Sequence, residues 1–405
     1  MSQAPGLMAA TTAHTSATTA SPVRFILPGG VDDPAAPSGG NTYDLRVCRE
    51  LPGAGWRVHA HAVAGDWPRP RPAARAELAR ILAAMADDTV VLLDGIVACG
   101  VPDVIVAEAE RLRLAVLVHL PLADETGLDP ATAAELDALE RRTLRAVAAT
   151  VATSDWAARR LIEHHGLDPA RVHVAAPGAD FAPLAAGSSS GIGSGSGIGS
   201  GTGTPRLLCV ASVTPRKGQH RLVESLAALA DPASPWSTSW SCVCAGGLGH
   251  DPAYVARLRE LIGGYGLDGR VRLVGPQTGP ALAAQYAAAD LLVLPSYAET
   301  YGMAVTEALA YGVPVVATAV GGVPEALGQA PDGSVPGMLV PPESEDPEGL
   351  TDALRTWLRD PAVRRRTKAS ALGRRTALAG WDTTARRLAA ALEQLRQEQE
   401  HRRSV

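Results

Sequence analysis

The chain has few aromatic residues, which make up 4% of its 405 residues and include only two phenylalanines. Because 46% of the residues are nevertheless hydrophobic, we expect cores built from Ala, Val and Leu. The chain also contains no apolar run that approaches the ~20 residues of a membrane-spanning helix. Its length is sufficient for two domains, each with a core of its own.

A basic surface is also missing, since the formal net charge is −5 and the sequence pI is about 6.1. Nucleic-acid-binding proteins are expected to carry a basic footprint, so that class is disfavoured. Residues 1–21 contain no Lys or Arg and therefore lack the charged start of a signal peptide. We expect a disordered leader there, or a start codon assigned too far upstream, and a cytoplasmic protein.

The five cysteines form no metal-binding or redox motif. Cys48, Cys99 and Cys209 stand alone, while Cys242 and Cys244 lie one residue apart, on one face of a predicted strand. No spacing matches a zinc site or a redox pair. We therefore predict small buried hydrophobic side chains rather than ligands.

A tract of mainly Gly and Ser, residues 187–203, divides the chain. Such a composition cannot bury enough surface to order itself, so we expect a flexible coil. The predicted organisation is a leader at 1–21, a first domain at 22–184, a linker at 185–205, a second domain at 206–380, and a carboxy-terminal helix and tail at 381–405.

Strand patterns alternate with helical patterns in both halves, which is typical of parallel sheets with crossover helices. The predicted strands of the first half are Val23–Leu27, Thr89–Leu93, Ala115–His119, Ala149–Thr153 and Val172–Ala175. Those of the second half are Leu207–Val210, Ser241–Ala245, Val271–Val274, Leu291–Leu294 and Val315–Thr318. The predicted fold class is α/β with two Rossmann-like halves, and ligands are expected beyond the carboxyl ends of the strands.

The most informative segment lies between the last two of these strands and contains Glu299 and Glu307. A helix is predicted to begin near Gly302, where Gly302 and Ala304 leave the backbone open to approach. Free amides and the positive end of the helix dipole make such a start an anion site. This loop and helical turn can therefore hold a phosphate on amides and hydroxyl groups on two carboxylates, which suits a sugar nucleotide.

The segment and its continuation resemble the retaining GT-B glycosyltransferases of family 4. The resemblance rests on the two glutamates with Gly302 between them, on the run from Ala310 to Thr318, and on Val320-Gly-Gly-Val-Pro-Glu325. It is strong over residues 206–395 and weaker over 23–184. It implies two Rossmann-like domains facing a central cleft and a last helix that crosses back onto the first domain. It also implies hexosyl transfer from a nucleoside-diphosphate sugar with retention of anomeric configuration.

The resemblance implies roles for this segment. Glu299 contacts the donor sugar, and Glu307 accepts hydrogen bonds from the ribose hydroxyls. The amides of Gly302, Met303 and Ala304 meet the diphosphate. The leaving group departs on the face that the acceptor attacks, and its phosphate helps to deprotonate the acceptor. Taken alone, either glutamate would more often be structural.

Gly39 and Gly40 stand in a glycine-rich turn between a predicted strand and a predicted helix. Such a turn lets amides approach an anion closely, although most such turns are only turns. The spacing is not Gly-x-Gly-x-x-Gly, so a nicotinamide-binding fingerprint is not supported. The resemblance implies that the two glycines face the donor diphosphate across the cleft.

Lys217 and Gly218 match the family motif Gly-Arg-Leu-x-x-x-Lys-Gly, but Ser212 occupies the position of the usual Arg. We expect Lys217 to neutralise the donor phosphates, and Arg216 or a residue elsewhere in the cleft to supply part of the missing charge. A solvated Lys/Arg pair is the alternative. Cations here would stabilise the departing diphosphate. No Asp-x-Asp stands at a predicted strand end, so we predict no metal and no cofactor besides the donor substrate.

His119 ends a predicted strand at the edge of the sheet where ligand sites gather. It is either structural or, as the resemblance implies, a residue beside the donor sugar that contacts a hydroxyl or polarises the reacting region. Asp94 and Asp124 hold similar positions. They could bind an acceptor hydroxyl, but helix capping or surface solvation is the commoner use.

The sequence therefore predicts a nucleotide-sugar-dependent, retaining glycosyltransferase, with uridine and guanosine donors both fitting the motif. A sugar-nucleotide epimerase or glycosyl phosphorylase on the same scaffold, and a nucleotide-sugar binder without turnover, stay open. Residues 22–184 contain 16 Arg, no Lys and 22 Asp plus Glu, a balance of −6. Since attraction to anionic lipid needs Lys/Arg clusters, peripheral membrane contact is disfavoured. A soluble acceptor such as a cyclitol, an aminocyclitol or a sugar phosphate is expected instead.

Overall fold

A computed structural model gives the structure of the protein and describes residues 20–125, 127–189, 203–230, 238–342 and 348–403. Nearly all of the predicted leader, and the middle of the Gly/Ser tract at 190–202, lie outside the described residues.

The first half of the chain forms a six-stranded parallel sheet in the order β2-β1-β3-β4-β5-β6. Its strands are β1 (Ser21–Pro28), β2 (Trp56–Val63), β3 (Val90–Asp94), β4 (Arg113–Val118), β5 (Ala149–Ala152) and β6 (Val172–Val174). Its helices are α1 (Gly39–Glu50), α2 (Pro72–Ala83), α3 (Gly95–Ala98), α4 (Pro102–Glu108), α5 (Pro130–Ala146) and α6 (Asp155–His165).

The second half forms another six-stranded parallel sheet, in the order β12-β11-β10-β7-β8-β9. Its strands are β7 (Arg206–Val210), β8 (Ser241–Ala245), β9 (Val271–Gly275), β10 (Leu291–Leu294), β11 (Val315–Thr318) and β12 (Gly337–Val340). Its helices are α7 (Gln219–Ala228), α8 (Pro252–Gly264), α9 (Gly279–Ala288), α10 (Met303–Ala310), α11 (Val323–Leu327), α12 (Glu348–Arg359) and α13 (Pro361–Arg375). The last helix is α14 (Trp381–Arg403).

Both sheets are covered on two faces, so several of their strands are buried along their whole length. Every residue of β3, β10 and β11 is buried, and these strands consist largely of Val and Leu. Continuous apolar runs of this kind are what a parallel sheet between two layers of helices requires. The prediction of an α/β fold with two Rossmann-like halves, built on aliphatic cores, is confirmed.

Helix α14 leaves the second domain and packs on the first, as predicted. Its side chains Leu388, Leu392 and Leu395 are almost fully buried among residues of β1 and α1. Their spacing of four and three residues places them on one helical face. Trp381, at the start of the helix, joins the same cluster and meets the ring of Tyr43 edge-on.

The two ends of the Gly/Ser tract lie side by side. The carboxylate of Asp290 accepts a hydrogen bond from the amide of Ser188 and another from the amide of Arg206, at 3.0 and 2.8 Å. The described residues before and after the tract therefore meet at Asp290, next to the start of β7. The domain boundaries given above stay a prediction.

The cysteines behave as small core residues. Cys99, Cys209, Cys242 and Cys244 are buried, and Cys48 is partly buried. All five are free thiols. In the described part of the chain, no helix is both long enough and apolar enough to span a membrane.

Candidate active site

Glu299 lies in the loop after β10, where the residue is only 8% exposed. Its Oε1 atom accepts hydrogen bonds from Lys217 Nζ at 2.7 Å and from Ser296 Oγ at 2.8 Å. Burial by itself would raise the pKa of Glu299, but the charge and hydrogen bond of Lys217 outweigh it and the pKa lies below its usual value. Glu299 is therefore ionised near neutral pH.

The Val320–Glu325 segment packs against the backbone of the loop that carries Glu299. Gly321 has a φ of +56°, and a Cβ atom at this position would collide with the carbonyl oxygen of Glu299. The neighbouring amide of Gly322 donates a hydrogen bond of 3.1 Å to that same oxygen. The two glycines of the motif are thus needed because two stretches of backbone touch here.

Helix α10 begins immediately after the loop that carries Glu299. Gly302 is its N-cap in a left-handed conformation with a φ of +90°. The amides of Met303 and Ala304 lie in the first turn, where a helix has no carbonyl partners to offer them. Glu307, one turn further on, accepts a 2.5 Å hydrogen bond from Tyr286 Oη. Burial raises the pKa of Glu307, and the Tyr286 hydrogen bond only partly offsets this.

The start of α1 faces the start of α10 across the cleft. A Cβ atom on Gly39 would lie 3.6 Å from Met303 Sδ, and one on Gly40 would lie 3.1 Å from the His119 ring. The side chain of Ser38 caps α1 through the amide of Asn41. The absence of side chains on Gly39 and Gly40 leaves the backbone of this helix start open, and two positive helix ends are brought together.

His119 follows β4 and is anchored from both domains. Its Nε2 atom lies 2.8 Å from Asp44 Oδ1, and its carbonyl oxygen accepts a 2.6 Å hydrogen bond from Thr300 Oγ1. Burial lowers the pKa of His119. The sequence reasoning missed Asp44, although one signal was present: Asp44 shares a helical face with Val47 and Leu51, which is a core position for a charged residue.

The cations near Glu299 come from the segment after β7. Lys217 bonds Glu299 directly, whereas Arg216 donates to the carbonyl oxygen of Ala298 at 3.2 Å and its charge helps to lower the pKa of Glu299. Ser212, at the position of the usual Arg, accepts a hydrogen bond from the Gln219 side chain through its backbone carbonyl oxygen. Arg216 is thus beside the cleft, and its role in binding phosphate stays a prediction.

A cavity of about 650 Å³ opens next to these cations between the two domains. The first domain contributes Asp124, Glu125, Trp156 and Arg160, and the second contributes Pro215, Arg216, His220, Tyr297 and Ala298. Asp124 pairs with Arg160 at 3.0 Å. Aromatic rings and charges of both signs thus line one space, a lining that sequence reasoning did not foresee beyond Asp124 and Arg216.

Asp94 caps α3 by accepting a 2.7 Å hydrogen bond from the amide of Ile96, so the capping alternative applies to it. It also lies near Asp44 and His119, and potential ligand atoms of these three residues lie within 4.8 Å of one another. A second such group, Asp137 with His164 and His165, joins α5 to α6. The prediction that the enzyme uses no metal is untested.

The two domains are held together around the cleft by polar contacts. Ser154 Oγ donates a 2.5 Å hydrogen bond to the carbonyl oxygen of Thr300. The carboxylate of Glu325 accepts from the amides of Asp155 and Trp156, at 2.9 and 2.7 Å, and so caps α6 from the other domain. The Glu299 loop and the Val320–Glu325 segment therefore face the first domain directly.

Family models match both halves of the chain. Residues 197–374 match the model described as glycosyl transferases group 1, and residues 37–182 match the model described as glycosyltransferase family 4. The chain is 35% identical over 252 residues to a D-inositol 3-phosphate glycosyltransferase of Kineococcus radiotolerans, covering 61% of this chain and 57% of that protein. It is 31% identical over 280 residues to one of Streptosporangium roseum, covering 68% and 61%. The matches to the most similar of these relatives span about half of the relatives' own length.

Solved structures support the fold. Sucrose-phosphate synthase of Thermosynechococcus elongatus superposes with a TM-score of 0.69 at 22% identity, over 93% of this chain and 99% of that one. HepE of Anabaena, in complex with UDP and glucose, superposes with a TM-score of 0.68 at 17% identity, over 92% and 100%. With its two parallel sheets and the two family matches, this chain belongs to the group 1 glycosyl transferases and has a family 4 amino-terminal region on a GT-B fold.

Proposed function

We propose that the protein is a retaining glycosyltransferase that moves a hexosyl group from a nucleoside-diphosphate sugar to a hydroxyl group of a small soluble acceptor in the cytoplasm. The observation that carries the proposal is the meeting of two helix starts, α1 and α10, beside Lys217 and Arg216. The two helix starts and the two side chains are four sources of positive potential at the carboxyl ends of two parallel sheets. Such an arrangement suits a diphosphate. The carboxylates of Glu299 and Glu307 flank this point.

The donor is oriented by these groups in the proposed complex. The diphosphate accepts hydrogen bonds from the amides of Met303 and Ala304 and receives the charge of Lys217. Glu307 binds the ribose hydroxyls and Glu299 a hydroxyl of the sugar. Because Lys217 already holds one oxygen of Glu299, the carboxylate is fixed before the donor arrives, which reduces the cost of ordering it.

The proposed reaction needs no metal ion. Negative charge grows on the leaving diphosphate as the glycosidic bond breaks, and fixed cations and helix amides are suited to stabilise it there. The acceptor hydroxyl attacks on the face that the diphosphate leaves, and a phosphate oxygen takes its proton. That geometry retains the anomeric configuration without an enzyme nucleophile.

The proposed acceptor is a polyhydroxylated small molecule that carries a phosphate or an amine. The cavity of about 650 Å³ next to Arg216 has the size of a small-molecule site, and it offers Arg160 and Arg216 to an anion and Asp124 to hydroxyl groups. The relatives named as D-inositol 3-phosphate glycosyltransferases make D-inositol 3-phosphate the first acceptor to test.

A transfer assay tests the proposal. The full-length protein is incubated with radiolabelled uridine or guanosine diphosphate hexoses, with and without D-inositol 3-phosphate, other cyclitols and sugar phosphates, in the presence of a chelator. We expect label in an acceptor product whose anomeric configuration, read by NMR, matches that of the donor. Glu299→Gln should abolish transfer, while Glu77→Gln, on an exposed surface of α2, should not.

The other outcomes separate the alternatives. Isomerised donor would indicate an epimerase, release of the sugar to inorganic phosphate a phosphorylase, and tight binding without turnover a sugar-nucleotide binder. An inverted product would refute the retaining mechanism, and loss of activity with chelator would refute metal independence. Co-sedimentation with anionic vesicles at physiological salt would contradict the soluble acceptor.

A further inference from the structure

Two buried carboxyl groups lie close to the Nε2 atom of the His119 ring. The Nε2 atom of His119 is 2.8 Å from Asp44 Oδ1 and 4.0 Å from Asp94 Oδ2. Asp44 is fully buried, and Asp94 is almost fully buried. The three residues come from α1, the end of β3 and the residue after β4, so three separate elements converge on one point.

Burial and mutual repulsion favour one proton on this pair of carboxyl groups. Burial raises the pKa of Asp44 to about 7, and burial together with the nearby charge of Asp44 raises that of Asp94 well above its usual range. Two adjacent buried carboxylates cannot both ionise at ordinary cost. Asp94 Oδ1 is already occupied by the amide of Ile96.

The hydrogen bond between the two carboxyl groups lowers the pKa of Asp44 and raises that of Asp94, which favours Asp94 as the group that holds this proton. The Oδ2 atom of Asp44 is buried, and no nitrogen or hydroxyl group of the described residues donates to it. A proton carried by Asp94 is therefore the hydrogen available to that oxygen, which leaves Asp44 as the anion.

An anionic Asp44 fixes the tautomer of His119. Because burial lowers the pKa of His119, the ring is neutral and carries one proton. That proton must lie on Nε2 to reach Asp44 Oδ1, so Nδ1 keeps its lone pair and can only accept a hydrogen bond. No hydrogen bond to His119 Nδ1 is found among the described residues. Because Nδ1 is not among the buried polar atoms that lack a partner, it is not fully buried.

We propose that Asp44 is a positioning residue which, with protonated Asp94 behind it, holds His119 in the Nε2–H tautomer and presents Nδ1 as a hydrogen-bond acceptor for a hydroxyl of the reacting sugars. The inference rests on the proposed function for the identity of the ligand. The arrangement of the three side chains does not depend on the proposed function.

The other titratable groups around the cluster are neutral over the relevant pH range. Tyr43 packs edge-on against the His119 ring at 5.1 Å and donates to the carbonyl oxygen of Ala175. Burial raises the pKa of Tyr43, raises that of Cys48 to about 11, and raises that of Cys99 further above its usual range. Thr300, which reaches His119 from the second domain, does not titrate. Among the described residues at this cluster, Asp44, Asp94 and His119 are therefore the groups whose ionisation the pH profile can report.

Two isosteric variants separate the roles of the carboxyl groups. Asp94→Asn replaces a neutral acid by a neutral amide that still donates, so we expect it to keep the Nε2–H tautomer of His119. Asp44→Asn removes the anion and with it the preference for the Nε2–H tautomer. We expect kcat to fall by roughly 10- to 100-fold, the range typical of losing a partner that orients a metal-bound histidine, with little change in donor KM. Asp87→Asn, an exposed aspartate of the same domain, is the matched control.

The pH profile gives an independent readout. As the pH falls through about 7, Asp44 takes up a proton and releases its hold on His119, so kcat of the wild type should decline on the acid side. Asp44→Asn should flatten that limb of the profile, and Asp94→Asn should keep it.

The decisive measurement is the ¹⁵N NMR spectrum of the His119 imidazole in the full-length protein without substrate. We expect a protonated Nε2 and an unprotonated Nδ1 in the wild type and in Asp94→Asn, and a mixture of tautomers in Asp44→Asn. An unchanged tautomer in folded Asp44→Asn would overturn the inference. So would a stoichiometric metal ion that Asp44→Asn loses, because the cluster would then be a metal site. If no donor and acceptor pair supports transfer, the proposed function fails while the NMR result still decides the tautomer.

Discussion

Replacing Lys217 by Met should separate the structural from the ligand-binding part of the site. The ammonium group and the Glu299 carboxylate are 2.7 Å apart, and their side chains are 15% and 9% exposed. Breaking a buried ion pair by removing one partner costs about 3–5 kcal/mol, because the other charge stays buried. Ser296 and Arg216 still stabilise Glu299 in the variant, so we expect the lower end, about 3 kcal/mol.

The loss of stability in Lys217→Met should depend on pH in a defined direction. In the wild type the pKa of Glu299 is lowered, so its ionised form stabilises the folded state above the usual pKa of 4.5, and this contribution is lost as the pH falls below that value. Without Lys217, burial dominates and raises the pKa of Glu299, so the folded state prefers the protonated acid. The difference in unfolding free energy between wild type and variant should therefore be largest at neutral pH and shrink towards pH 4.

Urea denaturation at several pH values measures the loss of stability, and calorimetric titration of UDP measures the loss of nucleotide affinity. The double variant Lys217→Met, Glu299→Gln should regain most of the stability, since no buried charge is left unpaired. It should not regain nucleotide affinity, which we expect to drop about 10- to 100-fold with the loss of one charged contact. Arg80→Met removes an exposed ion pair with Glu77 and is the control. A loss below about 0.5 kcal/mol for Lys217→Met, the size of an ordinary surface substitution, would refute the reasoning.

Three further substitutions test other parts of the site. Glu307→Gln should weaken donor binding about 10- to 100-fold by calorimetry and, because burial raises the pKa of Glu307, remove the loss of affinity expected for the wild type in weak acid. Gly321→Ala should lower Tm, because the left-handed backbone alone costs roughly 1–2 kcal/mol and the added methyl group collides with the Glu299 loop. The control is Gly53→Ala, where nothing lies within 4 Å of the added methyl group, and its Tm should stay unchanged. Glu325→Ala removes one of the two side chains that cap α6, the other being Ser154, and with it about 0.5–2 kcal/mol of contact between the domains. Small-angle scattering should then report a more open molecule, and an unchanged radius of gyration would contradict this role.

The fold was readable from the sequence wherever strands are buried on both faces. Ten of the twelve strands coincide with predicted apolar runs, and the two that were missed are β2 and β12. Each of these strands lies at the edge of its sheet. In β2, half-exposed residues such as His59 and His61 interrupt the apolar pattern, and three of the four residues of β12 are exposed or half-exposed. Partial solvation weakens the apolar pattern of an edge strand, although the other two edge strands, β6 and β9, were predicted.

The site was readable where its residues follow one another in the chain. The loop and helix start around Glu299 and Gly302 are local features, and the structure places them as expected. Asp44, Tyr286 and Trp156 were missed because their partners lie far away in sequence: His119 for Asp44, Glu307 for Tyr286, and the opposite wall of the cavity for Trp156. Such pairings depend on tertiary packing, which no local pattern encodes.

The central claim is that a nucleoside diphosphate binds where the two helix starts meet. A crystal structure of the full-length protein with UDP tests it most directly. We expect the diphosphate within hydrogen-bonding distance of the Met303 and Ala304 amides and of Lys217, with the ribose hydroxyls on Glu307. A nucleotide bound elsewhere, or one whose phosphates point away from α10, would contradict it.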